Sequence, residues 1–191
     1  MYRMSIITML CPPSLASKLD LSRCTRMALI HDMAESLVGD ITPVDGVSKT
    51  EKSRRETETM DYLCKDLLGS YGNGVAGQAM RDAWQEYEDS ETLESKFVHD
   101  VDKMELLLQM LEYERSHEGR LDLGEFAWVA TRIVLPEVQD WARELLAERK
   151  GFWEEGQGIV PGGVKDIGEG GKAHYTDEYY GGQSNRSANG A

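Results

Sequence analysis

Positive charge is scarce in this sequence. Twenty-one Lys and Arg residues stand against 34 Asp and Glu, a net charge of −13. Such a chain lacks the cations to neutralise a run of phosphates, so a nucleic-acid polymer is not an expected partner. A single small phosphate ester stays open if bound metal ions supply the positive charge. Long apolar runs are missing too. No stretch approaches the ~20 residues that a membrane-spanning helix needs, so no membrane partner is expected. Cysteine is limited to Cys11, Cys24 and Cys64, an odd set without CxxC spacing. No zinc site is implied, and reduced intracellular thiols are the simple reading. No strand pattern and no internal repeat stands out.

What is present suits one globular domain. The chain has 191 residues, 40% hydrophobic and 29% charged, enough to bury a core. Its densest chemistry lies in Ala28-Leu29-Ile30-His31-Asp32-Met33-Ala34-Glu35 and the Gly39-Asp40 that follows. His31, Asp32, Glu35 and Asp40 fall within ten residues of an otherwise mostly apolar stretch. A helix does not bury an imidazole and carboxylates without partners, because an uncompensated buried charge is costly. A divalent cation is the simplest partner. His31 and Glu35 at i and i+4 share a helix face. Gly39 is a helix C-cap candidate, with Asp40 on the turn beyond it.

Read in order, residues 2–11 form a helix ended by Pro12-Pro13. Met1-Tyr2-Arg3 and the short apolar run after it have a faint look of a signal peptide, but read better as a helix whose beginning is lost. A second helix, capped by Asp20 or Ser22, runs to about Val38 and carries the His-Asp cluster. Ser48-Lys49-Thr50-Glu51 is a capping box that starts a third. Its Arg54 and Arg55 read as solvated ion pairs with neighbouring glutamates rather than phosphate contacts. A loop over 69–77 leads to a short helix near 75–87, whose Trp84 and Tyr87 are expected to pack rather than stack on a base. A long helix over about 91–116 has Phe97, Val101, Met104, Leu108 and Leu111 as its core stripe. Residues 117–135 read as irregular or weakly helical. Pro136 and Arg149-Lys150 frame a last helix. From Gly151 the composition shifts: eleven of the 19 glycines lie in the last 41 residues, with few aliphatics. That segment cannot bury enough apolar surface to order itself, so a disordered tail over 151–191 is expected.

A second His-Asp pair, His99-Asp100, supplies an internal control. It lies in a charged stretch without a Glu at matching spacing, and reads as a surface pair on the long helix. For His31-Asp32, a purely structural role, with the imidazole hydrogen-bonded in the core, is the competing reading.

Taken with Val38-Gly39-Asp40-Ile41 and Lys96-Phe97-Val98 leading to Asp102-Lys103-Met104-Glu105, the His31 stretch resembles the HD-domain metal phosphohydrolases. The likeness is nearest to the 5′-deoxynucleotidase subgroup, and runs from Met1 to about Lys150. It includes Glu51-Lys52 with Arg54-Arg55-Glu56, Glu86-Tyr87-Glu88, and Leu111-Glu112-Tyr113-Glu114. The resemblance implies an all-α helical bundle over 1–150. It implies hydrolysis of deoxynucleoside 5′-monophosphates with a divalent metal ion, typically manganese, cobalt or magnesium. Carried over by motif, His31, Asp32 and Asp102 match metal ligands. Glu35 and Asp40 match acidic residues that assist catalysis or hold a further ion, which the Ile41 carbonyl joins. The family's first His ligand would fall just before Met1, and its first helix upstream of that. The expectation is therefore an N-terminally truncated form with impaired activity. A cytoplasmic enzyme, with the nucleus also open, and a homodimer are compatible with this reading. The alternatives are a non-catalytic metal- or nucleotide-binding HD protein, and a phosphohydrolase of a different phosphate ester.

Overall fold

A computed structural model describes residues 1–155. The expected tail therefore lies largely outside the described residues. Among them the structure is helices and turns throughout. Eight α-helices run in order: α1 Tyr2–Met9, α2 Pro13–Ala16, α3 Leu21–Ile30, α4 Glu35–Val38, α5 Lys49–Asp61, α6 Val75–Asp89, α7 Leu93–Ser116 and α8 Pro136–Glu154. A π-helical segment, Tyr62–Leu67, extends α5, and a 3₁₀ segment, Gly124–Arg132, precedes α8.

Helix starts follow local chemistry. Asp20, Ser48 and Thr92 each accept a hydrogen bond from the backbone N–H three residues on, capping α3, α5 and α7. Pro136 opens α8, where its missing N–H is not needed. Glu51 makes only half of the anticipated capping box, because its carboxylate turns to Arg54 and Arg55. Those exposed ion pairs are the arrangement the spacing suggested.

The central element is α7, with Phe97, Val98, Val101, Leu107, Met110 and Leu111 buried. Around it α1, α3 and α8 close the main core, to which Met4, Cys24, Met27, Val138 and Leu145 contribute. A second, smaller cluster joins Ile30, Ala34, Met60, Leu63, Cys64, Ala83 and Trp84. There α6 comes so close to the π-helical segment that a Cβ on Gly77 would stand 2.1 Å from the Cys64 carbonyl oxygen. Only glycine fits that approach.

Three expectations need correction. The helix carrying His31 does not run unbroken to Val38. It stops at Ile30, and the turn that follows bonds Met33 N–H to the Ile30 carbonyl and Glu35 N–H to that of Asp32. This tighter winding keeps Ile30 and Ala34 in the second cluster while Asp32 stays half-exposed. No Gly or Pro marks the break, which is why propensity does not show it. The last helix runs past the expected boundary at Gly151 to Glu154, because Phe152 is buried. His99-Asp100, finally, is not a surface pair, since Asp100 is fully buried.

Candidate active site

The site lies at the seam between the two apolar clusters. Met27 and Ala28 belong to the main core and Ile30 to the second, so the end of α3 straddles both. His31, the next residue, is 5% exposed. Its Nδ1 donates to the Ala28 carbonyl at 3.2 Å, which fixes the tautomer and leaves Nε2 facing outward. Nε2 lies 3.0 Å from Asp32 Oδ2 and 3.8 Å from Asp102 Oδ1. Asp102 arrives from α7, 70 residues away along the chain. Tyr87 of α6 backs the imidazole, ring centroids 4.9 Å apart.

A lone pair aimed at two carboxylates is an unstable arrangement unless positive charge sits between them. Burial alone would strip His31 of its proton. The hydrogen bonds and charges of Asp102 and Asp32 outweigh burial and lift its pKa to about 9. Burial works against Asp32 as well, yet its bond to His31 brings it below the usual carboxylate range. A proton on Nε2 reconciles the three groups here, and a divalent cation in its place would meet the same donors. Among the described residues no three His, Cys, Asp or Glu side chains form a finished cage. The donor types still fit a divalent metal, one imidazole nitrogen and two half-exposed carboxylates on separate elements.

Beside this trio lies an acidic wall. Glu35, which opens α4, is pushed up to about 7 by burial and by the charges of Asp32 and Asp40. Gly39 caps α4 with φ +83°, a conformation that turns the chain back through Asp40. Asp40 itself is exposed, and its charge also acts on Glu56. The Ile41 carbonyl accepts a bond from Lys52 Nζ at 3.0 Å. Thus His31, Asp32 and Asp102 come together, with Glu35, Asp40 and Ile41 on the adjoining wall. Lys52, Glu56 and Tyr87 also reach this region, and no role at the site was expected of them. Lys52 and Glu56 form an i,i+4 pair like the solvated pairs around them, so sequence offered no sign of a difference.

The family model described as HD domain matches residues 1–141. The chain belongs to the HD-domain family. It is 44% identical to the Saccharomyces cerevisiae protein named 5′-deoxynucleotidase YBR242W over 155 residues, 81% of this chain and 63% of that one. It is also 44% identical to Schizosaccharomyces pombe 5′-deoxynucleotidase hdd1, covering 80% of this chain and 75% of the relative. The solved structure of HD domain-containing protein YGK1 superimposes with a TM-score of 0.66 at 37% identity, over 80% of this chain and 76% of that one. The chain thus spans under two thirds of the length of the first of these relatives. The all-α HD fold expected from the sequence is the one observed. No helix among the described residues is long and apolar enough to cross a membrane.

Proposed function

We propose that this chain is a metal-dependent 5′-deoxynucleotidase, releasing phosphate from deoxynucleoside 5′-monophosphates. One observation carries the chemistry: His31 Nε2, turned outward by the Ala28 carbonyl, converges with the Asp32 and Asp102 carboxylates into a nitrogen-and-oxygen donor set that suits a divalent cation. The substrate class rests on the names of the yeast relatives. The same names weigh against a non-catalytic HD protein.

Electrostatics make the cation a requirement for substrate. Asp32, Glu35, Asp40, Glu56 and Asp102 would repel a phosphate dianion, and Lys52 is too weak a counterweight. A divalent ion, when bound, supplies Lewis acidity toward phosphoryl oxygens and lowers the pKa of its water. His31, Asp32 and Asp102 would hold it. The Ala28 carbonyl keeps the His31 lone pair pointed outward, and Tyr87 prevents the ring from turning away. While its own oxygens hold no ion, Glu35, pushed up to about 7, is placed to supply the proton that a departing 5′-oxygen requires. The Asp40 charge raises Glu35's affinity for that proton.

The test is phosphate release from the four deoxynucleoside monophosphates and their ribose counterparts, with manganese, cobalt or magnesium added after chelation. Deoxynucleotides should be hydrolysed, ribonucleotides markedly less, and nothing after chelation alone. Hydrolysis of unrelated phosphate esters in preference would refute the substrate assignment and favour the other phosphohydrolase reading.

A further inference from the structure

Lys52 enters the site from α5, and the resemblance implies no role for it there. It lies one turn into α5, and its side chain is only 20% exposed. Its ammonium donates to the Ile41 carbonyl at 3.0 Å and lies 3.7 Å from Glu35 Oε1 and 3.6 Å from Glu56 Oε1. The neighbouring Lys49 is exposed. Two carboxylates and a carbonyl around one ammonium make an all-oxygen set of the kind that hard divalent ions also take. The Ile41 carbonyl is itself held in place from the other side. The Asp45 carboxylate accepts from both Thr42 N–H and Thr42 Oγ1, each at 2.7 Å, which locks the turn that presents Ile41. That lock fixes the shape of the turn, and the Lys52 bond ties the turn to α5. The flexible member is the lysine, on its four-carbon stem.

We propose that Lys52 is a positioning residue whose ammonium ties Glu35 to the Ile41 carbonyl, and that it is displaced when those oxygens take a divalent cation. The two occupants exclude each other, because both need the Ile41 oxygen and Glu35. Lys52 therefore keeps the acidic wall in register while it lacks an ion, and competes with any ion that arrives there. The inference rests on the proposed metal-dependent reading of the site.

The experiment is a manganese titration of the chelated full chain by calorimetry, on wild type, Lys52→Met, Lys52→Arg and Lys49→Met. Removing a competing cation should tighten the weaker manganese equivalent of Lys52→Met about tenfold, the scale seen for groups that support metal ligands. Lys52→Arg, which keeps a cation beside the same oxygens, should stay near wild type, and so should Lys49→Met, which controls for bulk charge. Thermal unfolding provides a second readout. Lys52→Met should melt lower than wild type in chelator and recover with manganese. Equal or weaker manganese binding by Lys52→Met would overturn the proposal, as would equal tightening in Lys49→Met. A wild type that binds no manganese would sink both this inference and the functional reading, whereas wild-type binding with an unaltered Lys52→Met sinks the inference alone.

Discussion

The chain holds the same dipeptide twice, and the two copies are opposites. In His31-Asp32 the imidazole's Nε2 faces carboxylates, and the aspartate stands half in solvent beside it. In His99-Asp100 the imidazole's Nε2 donates to the Tyr87 carbonyl at 2.9 Å, with Ser90 Oγ alongside. Its aspartate points elsewhere, into the core, where it accepts from Val134 N–H and Leu135 N–H. Tyr87 lies against both rings, 4.9 Å from His31 and 3.9 Å from His99. One histidine is driven to about 9 by anions that outweigh burial, the other down to about 4 by burial that its neutral partners do not offset. Chemistry follows from what the ring nitrogen faces, and the dipeptide alone does not fix that. A tight turn lets His31 and Asp32 share one space. On a regular helix His99 and Asp100 point ~100° apart and serve different neighbours.

The largest test of this contrast is loss of function. Asp102→Asn or His31→Ala should cut divalent-metal affinity and phosphate release by at least ~100-fold, because each removes a proposed ligand rather than a supporting group. His99→Gln, whose amide can still donate to the Tyr87 carbonyl, should keep metal affinity within about threefold, measured by calorimetry. If the His99 variant lost metal while remaining folded, the two pairs would not be functionally distinct.

The converse test is stability. Asp100 satisfies the two backbone donors that lead into α8, and Lys103 Nζ stands 3.6 Å away. Asp100→Ala would orphan those donors inside the protein and should cost about 3 kcal/mol in urea unfolding. Asp32→Ala, at a half-exposed position, should cost under about 1 kcal/mol while abolishing activity. Equal destabilisation by the two would erase the division between a chemical and a structural pair.

Part of this division was legible in the sequence. A dense run of ligand-type residues inside an apolar stretch marked His31, Asp32, Glu35 and Asp40, and the spacing of apolar residues marked α7. Caps at Ser48 and Pro136 marked helix starts, since capping is local chemistry. What stayed hidden depends on distant partners. Asp100 looks like a solvated helix charge until amides 34 and 35 residues away are folded onto it. Lys52-Glu56 has the same spacing as the exposed Glu51-Arg55 pair, and what sets it apart is the Ile41 carbonyl and Glu35 folded onto it. The break after Ile30 lacks a breaker residue. Packing of Ile30 and Ala34 into the second cluster overrides a sequence that would otherwise continue the helix.

The smallest expected effect concerns pH. Burial is the main reason that His99 titrates near 4, below the ~6.5 of an unfolded histidine. Its hydrogen bond to the Tyr87 carbonyl and the Asp102 charge pull the other way, while Lys103 and His31 add to the depression. With the folded pKa below the unfolded one, the unfolded chain binds more protons between those values. Stability from His99 is therefore present above pH 6.5 and is lost as pH falls toward 4. Between pH 7 and pH 5 the loss should be about 2 kcal/mol relative to His99→Gln, which has no proton to gain. Other groups titrate in the same interval, so the measurement is the difference between the two urea-unfolding series rather than either slope. Ser90→Ala would sharpen it further, because it removes a neighbour of Nε2 while leaving the Tyr87 carbonyl in place. Its pH response should stay close to that of wild type if burial sets the low value. Parallel curves for wild type and His99→Gln would mean that His99 takes up its proton without resisting it. The second pair would then be as accessible to charge as the first, and the contrast between them would fail at its electrostatic root.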